Sequence, residues 1–129
     1  MTIKSQIEEM FKEPVKENDI EAIALTSKNG IPIASYVEKK AEHESFSTLS
    51  ATILGASEVI FSAFEKKQPV DIIVRSDESI LFIQENSSDS VLSMMGKSED
   101  EKRLIDIMDD ISKKVKEIRE GSLENEVKK

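Results

Sequence analysis

The sequence predicts a single α+β domain in the order helix, two strands, helix, three strands, helix, with its sheet covered on both faces. Three observations carry this. The apolar residues change period along the chain, from helical spacing to strand runs and back. The strands "DIIV" (71–74) and "ILFI" (80–83) are apolar at consecutive positions, where an antiparallel sheet with one wet face would alternate. A chain of 129 residues has room for one core of ordinary size and no second.

Taken in order, Ile3, Ile7, Met10 and Phe11 recur at helical spacing, and Ser5 with Glu8 offers a capping box. Pro14 biases Glu13 away from helix, so this helix is expected to stop near Lys12, with a polar connection from Val15 to Asp19. Ile20 to Thr26 reads as a strand, Asn29-Gly30 as a turn that tolerates positive φ, and Ile31 to Val37 as the return strand. Pro32 lacks a ladder donor, which places the second strand at a sheet edge. After a charged link, Glu38 to Glu42, a periodic segment without proline runs from His43 to about Lys67, closed by Pro69.

Three strands follow, Val70 to Arg75, Ile80 to Glu85 and Val91 to Met95, with turns at 77–79 and 86–89. Ser98-Glu99-Asp100-Glu101 supplies a capping box for a last helix that Gly121 is placed to end, leaving a frayed tail at 122–129. The domain is therefore expected over 1–121. Leu104, Met108, Ile111, Val115 and Ile118 step by four and three; fewer than three full heptads favour packing on the sheet over a coiled coil.

The middle helix has too wide an apolar face. At about 100° per residue, Phe46, Leu49, Ile53, Ala56, Ile60 and Phe64 form a stripe suited to the sheet. Leu54 and Phe61 stand to one side with Ser50 and Ser57 between them, and Val59 and Ala63 stand to the other. The arc covers roughly 200°, about twice what one sheet contact needs. Either Leu54 and Phe61 touch a loop or the first helix, or they are scattered exposed apolar residues, or a second chain covers them. The third strand bears on the same point: Val70, Ile72 and Val74 belong to a strand without Lys or internal Pro, the usual guards of an edge. At an edge it could pair with another copy; inside the sheet it would be covered by its own chain.

Composition excludes several functions. There is no Cys, which removes disulfides and thiolate chemistry and suits a cytoplasmic setting. No signal-peptide pattern, lipidation motif or membrane-spanning run is expected. Net charge is −8, seven units of which fall in residues 1–96, so phosphate backbones are repelled and nucleic acid is not an expected partner. No phosphate-binding glycine loop is present. The segment 55–59 lacks the final Gly of a nucleophile elbow and lies within a helix. His43 has no second His at the spacing a metalloprotease needs. Asp106, Asp109 and Asp110 read as a wet helix face, because Asp109 with Lys113 and Asp110 with Lys114 are favourable pairs. No catalytic, cofactor or metal site is expected, and the chain reads as non-enzymatic.

The stretch "IEAIALTSKNGIPIAS" (20–35), the Ser/Ala-rich helix "FSTLSATILGASEVIFSAF" (46–64), and the three strands and helix that follow resemble the Roadblock domain family, which includes MglB-like proteins and roadblock-type dynein light chains. The likeness spans about residues 3 to 120. It implies an α-β-β-α-β-β-β-α fold with a five-stranded antiparallel sheet, an architecture shared in part with profilin-like domains. It also implies a homodimer or a dimer with a related Roadblock chain, and work as a regulator or scaffold of a Ras-like small GTPase. Carried over by position, the dimer surface comprises Ser50, Leu54, Ser57 and Phe61 of the middle helix with Val70, Ile72 and Val74 of the third strand. A small-ligand sensory domain of profilin-like architecture is the alternative.

Overall fold

The computed structural model describes residues 2–18, 20–37 and 43–127 of the chain. Helix α1 spans Ile3–Glu17, strands β1 and β2 span Ala22–Ser27 and Pro32–Val37, and helix α2 spans His43–Ala63. Strands β3 (Asp71–Arg75), β4 (Ser79–Ser87) and β5 (Ser90–Lys97) follow. A 3-10 turn at Ser98–Asp100 then leads into α3, Glu101–Val127. The described strands form one antiparallel sheet in the order β2-β1-β5-β4-β3. The expected element order is met. So is the two-sided cover: α1 and α3 lie on one face and α2 on the other.

The α1/α3 face holds the larger core. Ile7, Phe11 and Val15 of α1 and Leu104, Met108, Ile111 and Val115 of α3 bury against Ile23, Leu25, Phe82, Leu92 and Met94 of the sheet. The 4-3-4 spacing on α3 thus serves the sheet, as expected. Gly96 lets α3 come close, since a Cβ there would stand 2.7 Å from Leu104 Cδ1. The α2 face is built differently. Register sets Ala22, Ala24 and Thr26 of β1 beside Met95, Ser93 and Val91 of β5, a floor of mostly small side chains. Onto it α2 turns Ser47, Ser50, Ala51 and Leu54, all buried.

All three helix ends differ from expectation, and β4 and β5 run a residue or two longer at each end. Helix α1 does not stop near Lys12 but carries Pro14 inside it. Val15 continues the Ile7-Phe11 stripe into the core, and burying it outweighs one missing hydrogen bond close to the helix end. The end is closed by Asn18, whose backbone N–H and side-chain amide both donate to the Pro14 carbonyl at 3.1 and 2.9 Å. Its start is capped by Thr2, whose Oγ1 accepts from the Ser5 N–H at 3.1 Å, rather than by a Ser5–Glu8 box.

Helix α2 ends at Ala63, short of Lys67. Glu65 takes a left-handed conformation (φ 55°), with Glu65 N–H donating to Ser62 O and Lys66 N–H to Phe61 O, the two bonds of a Schellman ending. Gly121 does not end α3, which runs to Val127. The β1–β2 turn is as expected: Gly30 has φ 88° and its N–H donates to Ser27 O. The link at 38–42 and the side chain of His43 lie outside the described residues.

Candidate interaction surface

Helix α2 is held on one side by polar contacts with the β1–β2 turn. Thr48 Oγ1 donates to Gly30 O at 3.2 Å, and Lys28 Nζ lies 3.4 Å from Glu58 and 3.5 Å from Glu85. On the other side Ile53 packs with Ile72 of β3 and Leu81 of β4. These contacts fix the rotation of the helix. Thr48, Gly55 and Glu58 look toward β2; Leu49, Ile53, Ile60 and Phe64 look toward β3 and outward.

That rotation corrects part of the sequence expectation. Leu54 is 1% exposed and packs with Ile83 and Val91, and Ser50 is 2% exposed, so neither lies on a surface another chain could reach. Ser57 is half-buried. Of the stripe expected to dock on the sheet, Phe46 and Ile53 are half-buried, but Leu49 is 59% exposed, Ile60 57% and Phe64 72%. The physical reason is the small-residue floor of β1 and β5. A helix can approach it closely only with small residues inward, so Ser47, Ser50 and Ala51 go in and the larger stripe goes out.

Glu58 bears on the same rotation. It is the only charged residue between Ser45 and Phe64 and would ordinarily mark a wet side, but Lys28 pairs with it at the rim of the inner face. The usable signal was Lys28 in the β1–β2 turn, a counter-charge for an otherwise lone acid.

Phe61, Val70, Ile72 and Val74 of the expected set keep some exposure. Phe61 lies on the same side of α2 as Leu54 but is 39% exposed, as are its neighbours in the last turn of the helix. Val70 and Val74 are exposed and Ile72 half-buried. Strand β3 is an edge, pairing with β4 only. Leu49 and Ile60 of α2, Phe64 just after it, and Val70 and Val74 of the β3 segment are therefore exposed apolar residues on the β3 side of the helix. Single exposed apolars are ordinary, whereas a contiguous set beside an open strand marks a contact site. Fully burying each of these side chains contributes about 1.5–3 kcal/mol, against roughly 4–15 kcal/mol for association, so several must be covered together.

Little else could do chemistry. Among the described residues no group of three His, Cys, Asp or Glu side chains could hold a metal ion. Ser87 holds the Asp89 carboxyl below its ordinary range by a hydrogen bond, with help from Arg119, and the arrangement braces the β4–β5 turn against α3. Asp110 pairs with Lys114 at 2.9 Å, as the spacing predicts. By length and composition Ser45–Ala63 is apolar enough to cross a membrane. It lies instead across a sheet whose strands come from both before and after it, so crossing a bilayer would require that sheet to come apart.

The fold is similar to that of MglB from Myxococcus xanthus, at 17% identity and a TM-score of 0.78, over 91% of this chain and 97% of that one. It is similar to the gliding protein MglB of Thermus thermophilus, at 13% identity and 0.77, over 94% and 93%. A Roadblock/LC7 domain from Streptomyces avermitilis matches at 17% identity and 0.69, over 75% and 82%. At such identities the likeness concerns the fold alone. No curated protein matches the chain in sequence. The pattern of the Roadblock/LC7 domain, however, matches residues 6–95, from within α1 through most of β5. The chain belongs to the Roadblock/LC7 domain family.

Proposed function

We propose that this chain is a dimeric Roadblock-type adaptor that binds a Ras-like small GTPase and regulates or scaffolds it, with no active site of its own. The observation that carries the reading is the apolar rim where the outer side of α2 meets the open β3 edge. A surface of that kind serves contact with other chains rather than chemistry. Phe61, Val70, Ile72 and Val74 remain its interface residues, joined by Leu49, Ile60 and Phe64. The GTPase itself is inferred from the family resemblance.

The working setting is the cytoplasm, a reading supported by the absence of cysteine. The arginines at 75, 103 and 119 stand on β3 and α3, not in loops, so none is placed as an inserted finger. Any acceleration of hydrolysis would act by ordering the GTPase's switch segments.

No observation favours the sensory alternative. The groove between α1 and α3 is bordered by Glu13, Glu17, Asp106 and Asp110, and that beside the β4–β5 turn by Asp89, Lys116 and Glu120; both are charged and open to water.

The test uses the purified chain and a set of Ras-like GTPases in their diphosphate and triphosphate-analogue states. The expected result is a nucleotide-dependent complex that Ile60→Asp abolishes. Binding with unchanged hydrolysis would make the chain a scaffold. No complex with any GTPase of the same organism, while the chain still dimerises, would overturn the GTPase part.

A further inference from the structure

The two helical layers are held to the sheet by different chemistry. On the α1/α3 face, large side chains such as Phe11, Phe82, Leu104 and Met108 join both helices to the strands in one buried cluster. On the α2 face, among the described residues, the cluster is Leu54, Ile83 and Val91, with Ile53, Ile72 and Leu81 half-buried around it. The rest of that contact is small and polar, made by Ser47 and Ser50 of α2 and by Thr26 and Ser93 of the floor, all buried.

Two of these hydroxyls stand idle. Ser47 Oγ and Thr26 Oγ1 have no hydrogen-bond partner among the described residues, although both side chains are 0% exposed. The orphan oxygens of the other face differ, since Asn86 keeps its amide nitrogen on Ser112 and Gln84 is half-buried. A hydroxyl shut away from water without a partner biases an equilibrium against its buried state by roughly tenfold or more. That bias acts on α2 alone, because lifting the helix would return both hydroxyls to water. Lifting it would also expose little large apolar surface: the floor includes Ala22, Ala24 and Ser93, and Leu49 and Ile60 already face water. The Thr48–Gly30 bond and the Lys28–Glu58 pair lie at the rim, where water can replace them.

We propose that α2 is a lid, which opens from the sheet as a unit while α1, α3 and the strands stay folded. The idle hydroxyls of Thr26 and Ser47 set how often it opens. Because Ile53 packs on Ile72, each opening also loosens the edge strand β3. A chain that covers Leu49 and Ile60 binds the seated helix and so suppresses the opening. The lid itself does not depend on the GTPase reading or on a dimer.

Native-state hydrogen exchange of the dilute chain, at low denaturant concentrations, tests this. The amides of α2 are expected to open about a hundredfold or more often than the slowest amides of α1 and α3. Their opening should depend less on denaturant, since it exposes less surface. Val115→Ala cuts into the α1/α3 core and separates the two events. It should raise the opening of α1 and α3 by about tenfold or more and leave that of α2 within about twofold. Ile111→Val is the milder cut, should the first variant fail to fold. Thr26→Val and Ser47→Ala each remove one idle hydroxyl at nearly constant shape and should make the opening of α2 about tenfold rarer. Amides of α2 that open only with the whole molecule, or that follow Val115→Ala as closely as those of α3, would overturn the lid. An opening that neither Thr26→Val nor Ser47→Ala makes rarer would overturn the part given to the hydroxyls.

Discussion

The two edges of the sheet are treated in opposite ways. At β2 the edge is guarded twice: Pro32 removes a ladder donor, and the Glu8 carboxylate of α1 accepts the Ser35 N–H at 3.0 Å. Ile33 and Tyr36 pack against the α1/α3 core, so that layer reaches this edge. At β3 the edge has neither proline nor lysine, and the apolar residues Val70 and Val74 lie in the open beside an apolar helix flank. One molecule thus shows how an edge is closed and leaves the other unclosed. Edges of this kind template pairing unless something blocks them, and β3 lacks the two blocks that β2 has.

Four substitutions break or sharpen that contrast, in decreasing order of expected effect. Leu54→Ala cuts into the buried side of α2. It should cost about 2–5 kcal/mol in chemical denaturation, as large-to-small changes in cores do. If Leu54 instead belonged to a shared surface, the loss would appear in association with the fold intact. Val74→Lys adds to β3 the guard it lacks. It should raise the dimer dissociation constant by about a hundredfold, close to 3 kcal/mol, while leaving the dilute chain's unfolding within ~0.5 kcal/mol of the parent. A dimer that tolerates lysine at this position would not be built on the β3 edge.

Glu8→Ala removes one guard from β2. The partly buried charged bond to Ser35 is worth about 1–2 kcal/mol, and the variant should lose that much in thermal unfolding. It should also show added association that the Val74→Lys change does not suppress. Glu65→Gly relieves the left-handed conformation at the end of α2, just ahead of β3, and should stabilise by about 0.5–1 kcal/mol, read as a higher melting temperature. Because this change touches no face of either edge, it serves as the control: its effect on assembly should be nil.

Much of the architecture was legible, for reasons that can be named. Consecutive apolar residues in "DIIV" and "ILFI" required cover on both faces, and α1, α3 and α2 supply it. Pro32 marked one edge by its missing donor, and the lack of guards in β3 agreed with its place at the other. Local signals were weaker guides where burial competed with them. Pro14 did not stop α1, because Val15 continued the stripe that Phe11 and Ile7 had begun. Gly121 did not stop α3. Glu65, with no glycine to advertise it, is where α2 turns.

The candidate surface was half legible. Of the expected residues around β3, Val70 and Val74 are exposed and Ile72 is half-buried, but on α2 only Phe61 and the half-buried Ser57 of the expected set keep any exposure. A helix apolar over roughly 200° must leave part of its arc outside one sheet, and counting residues says so. Counting does not say which part, because every rotation of the wheel has nearly the same composition.

By itself, then, the sequence determined the order of helices and strands, the two-layered cover of the sheet, the site of its guarded edge, and the surplus of apolar surface on α2, since each follows from local spacing and residue chemistry. Only the tertiary structure decided which side of α2 faces inward. That choice depends on the small-residue floor that Ala22, Ala24 and Ser93 form when β1 and β5, distant in the chain, come side by side, and on the Lys28–Glu58 pair at its rim. Close packing against that floor puts Leu54 inside and leaves Leu49, Ile60 and Phe64 exposed.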